Sequence, residues 1–208
     1  MGLRYDFPVD ASNRKSVYYR IIDWSKPGLR ALDVGCDTGR LGEFLKGRGL
    51  TVDGVEMDPS ASGLACRRLD RVYTGGIEDE RTIRELEGPY DIIIFADVLE
   101  HLSRPDETLD KMKAVLAPNG IIIASLPNVA NFRVRFGLLF GRFDYTEIGI
   151  LDRTHLRFYT RKTAVELFKK AGYTALDIKP AATHMPSLLL NGWPELFATR
   201  FVVKASLK

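Results

Sequence analysis

The chain has 208 residues, 45% of them hydrophobic and 27% charged, with a net charge of +3. That composition supplies an ordinary core and excludes a disordered chain, and the charge favours anionic partners without pointing to nucleic acid. Two cysteines, Cys36 and Cys66, are too few for a disulfide framework and fit a reducing compartment. The N-terminal MGLRYDFPVD has no apolar signal core. No apolar run reaches the roughly 18 residues of a membrane span. The expected location is therefore cytoplasmic, with no transmembrane segment.

Residues 13–24 have helical spacing, with Ser12 or Asn13 as the cap. An alternation then begins. Apolar runs at 30–34, 51–56, 72–74, 91–96 and 120–125 read as strands. The amphipathic stretches 40–47, 59–69, 79–87 and 105–116 read as helices between them. In the last of these, Leu109, Met112, Val115 and Leu116 recur at helical spacing. Pro105 suits a first turn, beside Asp106 and Glu107. Pro118-Asn119-Gly120 predicts a turn before the next strand. Such alternation needs crossovers, hence an α/β fold with a mostly parallel sheet covered on both faces. After Ser125 the rhythm breaks, and 126–159 is too long for an ordinary connection. A helix follows at 160–171, ended by Gly172. Strands are expected at 173–179 and 199–205, joined by a link rich in Pro, Leu and aromatics.

The first strand empties into Gly35-Cys36-Asp37-Thr38-Gly39, where glycines allow a tight turn and close approach of a ligand. Glu56 lies about twenty residues on, at the end of the second strand, where a carboxylate can accept from ribose hydroxyls. A dinucleotide loop would carry a second glycine where this chain has Asp37, and a pyrophosphate there would meet a carboxylate. S-adenosylmethionine carries a sulfonium and an ammonium and no phosphate, so it tolerates acids. A tight turn without a ligand is the plain alternative.

Three further stretches decide between these readings. They are Val52-Asp53-Gly54-Val55-Glu56-Met57-Asp58, the run from Asp91 through Asp97-Val98-Leu99-Glu100-His101-Leu102, and Leu116-Ala117-Pro118-Asn119-Gly120. Together with the loop they resemble the class I S-adenosylmethionine-dependent methyltransferases, most clearly over residues 28–125. The resemblance implies a Rossmann-like seven-stranded sheet, mostly parallel with the last strand antiparallel, and helices on both faces. It implies one methyltransferase domain over 1–208, with an N-terminal cap at 1–28 and a substrate-side insertion at 126–160. Asp33, Gly35 and Gly39 match the motif that holds the amino-acid end of the cofactor, and Cys36 and Asp37 between them are further cofactor-binding candidates. Glu56 matches the ribose acid, Met57 the apolar neighbour of adenine, and Ala96 and Asp97 the strand end beside the methionine moiety. Two positions depart from the pattern. Asp37 replaces a usual glycine. Gly76 stands where an acid often reads the adenine amino group, leaving the Ile77 backbone, Glu78 or Asp79 to substitute. Tyr5-Asp6-Phe7 and Tyr18-Tyr19 are expected either to close over the cofactor or to pack in the core.

Methyl transfer depends mainly on positioning, and a base is needed only where the acceptor loses a proton. His101 and His155 are the candidate bases; their structural alternatives are a helix-start residue and a surface hydrogen-bonding residue. Asp97, Glu100 and His101 could converge with His155 on a divalent ion, since their D-x-x-E-H run looks like the metal-binding run of methyltransferases acting on ubiquinone precursors and on small-RNA ends. The same letters also occur in relatives without metal, and the site reading assigns no metal ligand. Residues 131–161 hold six arginines, at 133, 135, 142, 153, 157 and 161, against the acids Asp144, Glu147 and Asp152. Arginines among aromatics could clamp an anionic acceptor, and Gly137-Leu138-Leu139-Phe140-Gly141 could touch a membrane or an oligomer partner. Ser125-Leu126-Pro127-Asn128, Gly141-Arg142-Phe143 and the stretch from Thr154 to Thr160 are similar to a bacterial methyltransferase subgroup associated with cell-surface polysaccharide genes.

The expected activity is methyl transfer from S-adenosylmethionine to a small-molecule or glycan acceptor, at a hydroxyl. An RNA-end methyltransferase with a divalent metal and a non-catalytic cofactor-binding scaffold are the alternatives. Nucleic acid is not an expected partner; a homodimer is one option.

Overall fold

The computed structural model describes residues 9–207. In chain order the elements are α1 (Val17–Trp24), β1 (Arg30–Val34), α2 (Arg40–Lys46), β2 (Thr51–Glu56), α3 (Pro59–Ala65), β3 (Arg71–Thr74), α4 (Glu80–Glu85) and β4 (Tyr90–Ala96). A 3-10 turn (Leu99–His101) leads to α5 (Pro105–Met112), β5 (Leu116–Pro127), α6 (Phe132–Leu139), α7 (Arg161–Lys170) and β6 (Tyr173–Ala181). The chain closes with α8 (Ser187–Gly192), α9 (Pro194–Phe197) and β7 (Arg200–Leu207).

The strands form one seven-stranded sheet in the order β3-β2-β1-β4-β5-β7-β6. Pairings from β3 through β5 are parallel, and β7 runs antiparallel to both β5 and β6. The period-2 rule sorts each central strand onto two buried faces. Leu32, Val34, Ile93 and Phe95 face a core closed by Leu109 and Met112 of α5 and Leu167 and Phe168 of α7. Ala31, Val52, Ile92 and Ile94 face the other core, closed by Ile21 and Ile22 of α1 and Leu41 and Leu45 of α2. The expected mostly parallel sheet with an antiparallel last strand is therefore the observed one.

Element ends differ from expectation for local reasons. The first helix starts at Val17, capped by Ser16, whose Oγ accepts from Tyr19 N. Asn13 is spent on a turn, accepting from Lys15 N, so it does not cap the helix. The helix expected to reach residue 116 ends at Met112, and Leu116 pairs with Tyr90 as the start of β5. Pro118-Asn119-Gly120 falls within the register break that follows, so it makes an irregularity inside the strand and not a turn before it. The link before the last strand folds as α8 and α9, and the long insertion contains α6. Thr160 caps α7 through a reciprocal pair with Thr163, and Gly172 follows the helix at φ +85°. Tyr5, Asp6 and Phe7 lie outside the described residues.

Candidate functional site

The sheet order reverses at β1, whose neighbours β2 and β4 lead away in opposite directions. In such sheets the crevice at the carboxyl ends of these strands is the ligand position. The loop after β1 lines it. Gly35 and Gly39 sit at φ +69° and +82°, where L side chains are strained. A Cβ on Gly35 would lie 2.7 Å from Val98 Cγ2, and one on Gly39 would lie 3.1 Å from the Ala65 backbone. Asp37 is also left-handed, at φ +48°. After glycine, Asn and Asp are the residues that tolerate this conformation best. The departure from the glycine pattern thus has a backbone explanation.

Glu56 ties this loop to the next. One carboxylate oxygen accepts from Asp37 N (2.9 Å) and the other from Asp58 N (2.8 Å). Met57 beside it is 75% exposed, an apolar side chain left in water at the crevice edge. Asp33 is buried, and its Oδ2 has no hydrogen-bond partner. Burial, and then the Glu56 charge, push its carboxyl up to about 7. A buried acid in this state favours its protonated form, and a cation placed beside it would favour the carboxylate. The Cys36 thiol is also pushed up by burial, and it packs against Gly54.

On the adenine side expected from the sequence, Ile77 is buried. The Glu78 carboxylate accepts from Ser103 N, Ser103 Oγ and Arg104 N. These bonds hold its carboxyl below the usual range against the opposing effect of burial. Asp79 caps α4 through Arg81 N. Both acids are committed to the chain itself.

Ala96 ends β4, and Asp97 follows at φ +57°. Asp97 accepts from Ser125 Oγ (2.5 Å) and from Arg200 Nε (2.6 Å). It does not converge with Glu100 and the histidines as metal-ligand spacing had suggested, because the guanidinium and hydroxyl already hold both carboxylate oxygens. Arg200 comes from β7, and no local sequence signal pairs it with Asp97. Burial raises the Tyr18 phenol, with Asp97 and Asp33 adding to it, which places this α1 side chain near both acids.

The two histidines meet. Their ring centroids are 4.8 Å apart, edge to face. His101 Nδ1 lies 3.1 Å from the Thr154 carbonyl and His155 Nδ1 lies 3.1 Å from the Ile150 carbonyl. A carbonyl only accepts, so both Nδ1 atoms carry hydrogen and both Nε2 atoms present lone pairs. His155 is buried with Nε2 3.9 Å from Glu100 Oε1, whereas His101 is partly exposed. Burial, then Asp97, push the Glu100 carboxyl well above its usual range. Burial, then His101, push His155 down. Both shifts favour the neutral forms. Neither Glu100 oxygen has a hydrogen-bond partner, and donor atoms of Glu100, His101 and His155 all lie within 4.8 Å of one another. The insertion is clasped to this turn: Leu156 N and Arg157 N donate to the Glu100 carbonyl, and Arg157 to the Ser103 carbonyl.

Sheet order and glycine loop are those of a class I S-adenosylmethionine-dependent methyltransferase, and the comparisons agree. A family described as "Methyltransferase domain" matches residues 12–178, and the chain belongs to that family. It is 33% identical over 106 residues to a ubiquinone biosynthesis O-methyltransferase of Caulobacter sp. (strain K31), covering 49% of this chain and 42% of the relative. A protein of the same name from Azoarcus sp. (strain BH72) is 26% identical over 165 residues, covering 71% and 68%. The first of these matches spans under half of the relative's length. Among solved structures, a possible histamine N-methyltransferase from Thermotoga maritima superposes with a TM-score of 0.67 at 18% identity, covering 94% of this chain and 91% of that one. Magnesium protoporphyrin IX methyltransferase from Synechocystis PCC 6803, crystallised with SAH, gives 0.64 at 17% identity, covering 92% and 80%. At these identities the structural likeness establishes the fold.

Proposed function

We propose that this chain moves a methyl group from S-adenosylmethionine to a hydroxyl of a small-molecule or glycan acceptor. The observation that carries the reading is the partly exposed His101, whose Nδ1 is spent on the Thr154 carbonyl and whose Nε2 is left for an acceptor. The name of the O-methyltransferase relatives agrees with an oxygen acceptor. Bound S-adenosylmethionine supplies the electrophilic methyl. Asp33 takes the cofactor's ammonium as counter-charge, with Gly35, Cys36, Asp37 and Gly39 turning the backbone around it. Glu56 accepts from the ribose hydroxyls, and Met57 and the Ile77 backbone cover the adenine. Ala96 and Asp97 border the methionine end. His101 Nε2 takes the acceptor's proton, and the 126–160 segment forms the acceptor side, under a cap that includes Tyr18. Release of S-adenosylhomocysteine across pools of hydroxylated acceptors tests this. Turnover confined to amines, or cofactor binding with no turnover on any acceptor, would sink the hydroxyl assignment.

A divalent cation is a second reading, favoured by the two unpartnered Glu100 oxygens. Glu100, His101 and His155 would hold it, and it would supply Lewis-acid polarisation of an acceptor oxygen. Mg²⁺ or Mn²⁺ titrated calorimetrically into the cofactor-loaded protein decides the point: no heat, and turnover unaffected by chelator, would remove it.

The Asp33 assignment has a pH signature. Below about pH 7 its carboxyl is protonated and cannot pair with an ammonium. Affinity for S-adenosylmethionine is expected to rise with pH, most steeply near 7, and Asp33→Asn to flatten the profile. The ligand-free fold shows the opposite trend. A folded carboxyl near 7 against an unfolded value of about 4 means that folding takes up a proton, so stability falls as pH rises from about 4 to 7. Calorimetry and thermal melts across that range check both; parallel slopes would contradict the assignment.

A further inference from the structure

Helix α6 presents its apolar residues to water. Its one buried residue, Val134, marks the inward direction. At about 100° per residue, Phe136 and Leu139 point the opposite way, and Phe140 follows at the helix end. Leu139 is 76% exposed, and Phe136 and Phe140 are each 64% exposed. The two phenylalanine rings stack edge to face, 4.9 Å apart, as one ridge. By the same angles Arg133 and Arg135 flank the ridge on its two sides, and Arg142 lies just beyond it. All three arginines are exposed, and residues 131–143 contain no acid. The ridge adjoins another exposed apolar segment. Phe132 meets Phe197 of α9 at 5.7 Å, and the α8–α9 segment exposes Leu188 and Trp193.

We propose that this outward face of α6 rests on the surface of an anionic phospholipid bilayer, with Phe136, Leu139 and Phe140 in the acyl boundary and Arg133, Arg135 and Arg142 among the phosphates. Aromatic and leucine side chains flanked by cations match the depth profile of a bilayer surface, where rings sit below the headgroups and guanidinium groups reach up to them. Charge selects this partner over a second copy of the chain. A two-fold contact places the same patch on both sides, so the arginines of one copy would meet those of the other, and Glu195 of the adjoining α9, already paired with Arg161, is too little to offset them. An anionic leaflet neutralises each of them. The contact is peripheral, since no helix among the described residues is long and apolar enough to cross a membrane. It does not depend on which acceptor is methylated.

The test is co-sedimentation of the full chain with vesicles of phosphatidylglycerol and phosphatidylcholine, and with vesicles of phosphatidylcholine alone. Binding is expected to the mixed vesicles and to weaken with salt. Leu139→Asp with Phe140→Asp is expected to weaken it about tenfold or more, as loss of buried apolar surface and a reversed charge both oppose docking. Those positions are exposed, so the thermal midpoint and the affinity for S-adenosylmethionine should stay near wild type. Arg133→Gln with Arg142→Gln, which removes no apolar contact, should also reduce binding. No binding to mixed vesicles, or binding that both variants retain, overturns the proposal. So does a wild-type dimer in sedimentation velocity that Leu139→Asp splits into monomers. Cofactor binding by the wild type is measured separately, so a failure of the methyltransferase reading is told apart from a failure to dock.

Discussion

Glu56→Ala is expected to weaken S-adenosylmethionine binding by about 100-fold, since two charge-assisted hydrogen bonds within the site and those to the ligand are lost together. The side chain holds Asp37 N and Asp58 N at once, so its removal frees both the loop after β1 and the start of α3. Both backbone N–H groups would then need water in a crevice meant for ligand. Glu56→Gln keeps the volume and one acceptor oxygen, but its amide opposes one of the two N–H groups, so an intermediate loss is expected. Calorimetric titration measures both. An affinity within about threefold of wild type for the alanine variant would show that Glu56 serves neither the loop nor the ribose.

The second large effect separates the two histidines. His101→Ala should lower kcat by about 10² to 10⁴, the usual contribution of a positioned base, while the thermal midpoint barely moves. His155→Ala should act first on stability. It empties a buried position, leaves the Ile150 carbonyl without its donor and opens a cavity beside the unpartnered Glu100 carboxyl. A cost of about 2 to 4 kcal/mol follows from cavity and hydrogen-bond loss combined. Kinetics and melts on both variants check the division. Equal kcat losses with equal melting points would mean that the rings act as one unit, as joint metal ligands would. His101→Asn then adds a control, since it preserves polarity and removes the imidazole lone pair.

Legibility in the sequence followed the range of each interaction. The turn after β1 and the ends of β2 and β4 were readable because each closes a short run: a strand period, and glycines at positions that need them. Helix ends were less readable. Ser16 displaced Asn13 as the cap because Asn13 found a nearer donor in Lys15. Leu116 left the helix because Tyr90 offered a ladder partner. Glu78 shows the same limit at the site itself. Its letter suggests an adenine reader, but three donors from Ser103 and Arg104, some 25 residues away, claim its carboxylate.

The sequence by itself determined the layered α/β order and the glycine-bearing turn after β1. These follow from hydrophobic period and backbone sterics, which act between neighbours along the chain. Only the tertiary structure decided that Asp97 belongs to Ser125 and Arg200, that His101 and His155 meet over Glu100, and that the apolar side of α6 faces outward. Those pairings join residues 28 to 103 positions apart. Which of several acids a distant arginine or histidine reaches depends on how the sheet edge and the insertion pack, and that packing leaves no local pattern in the chain.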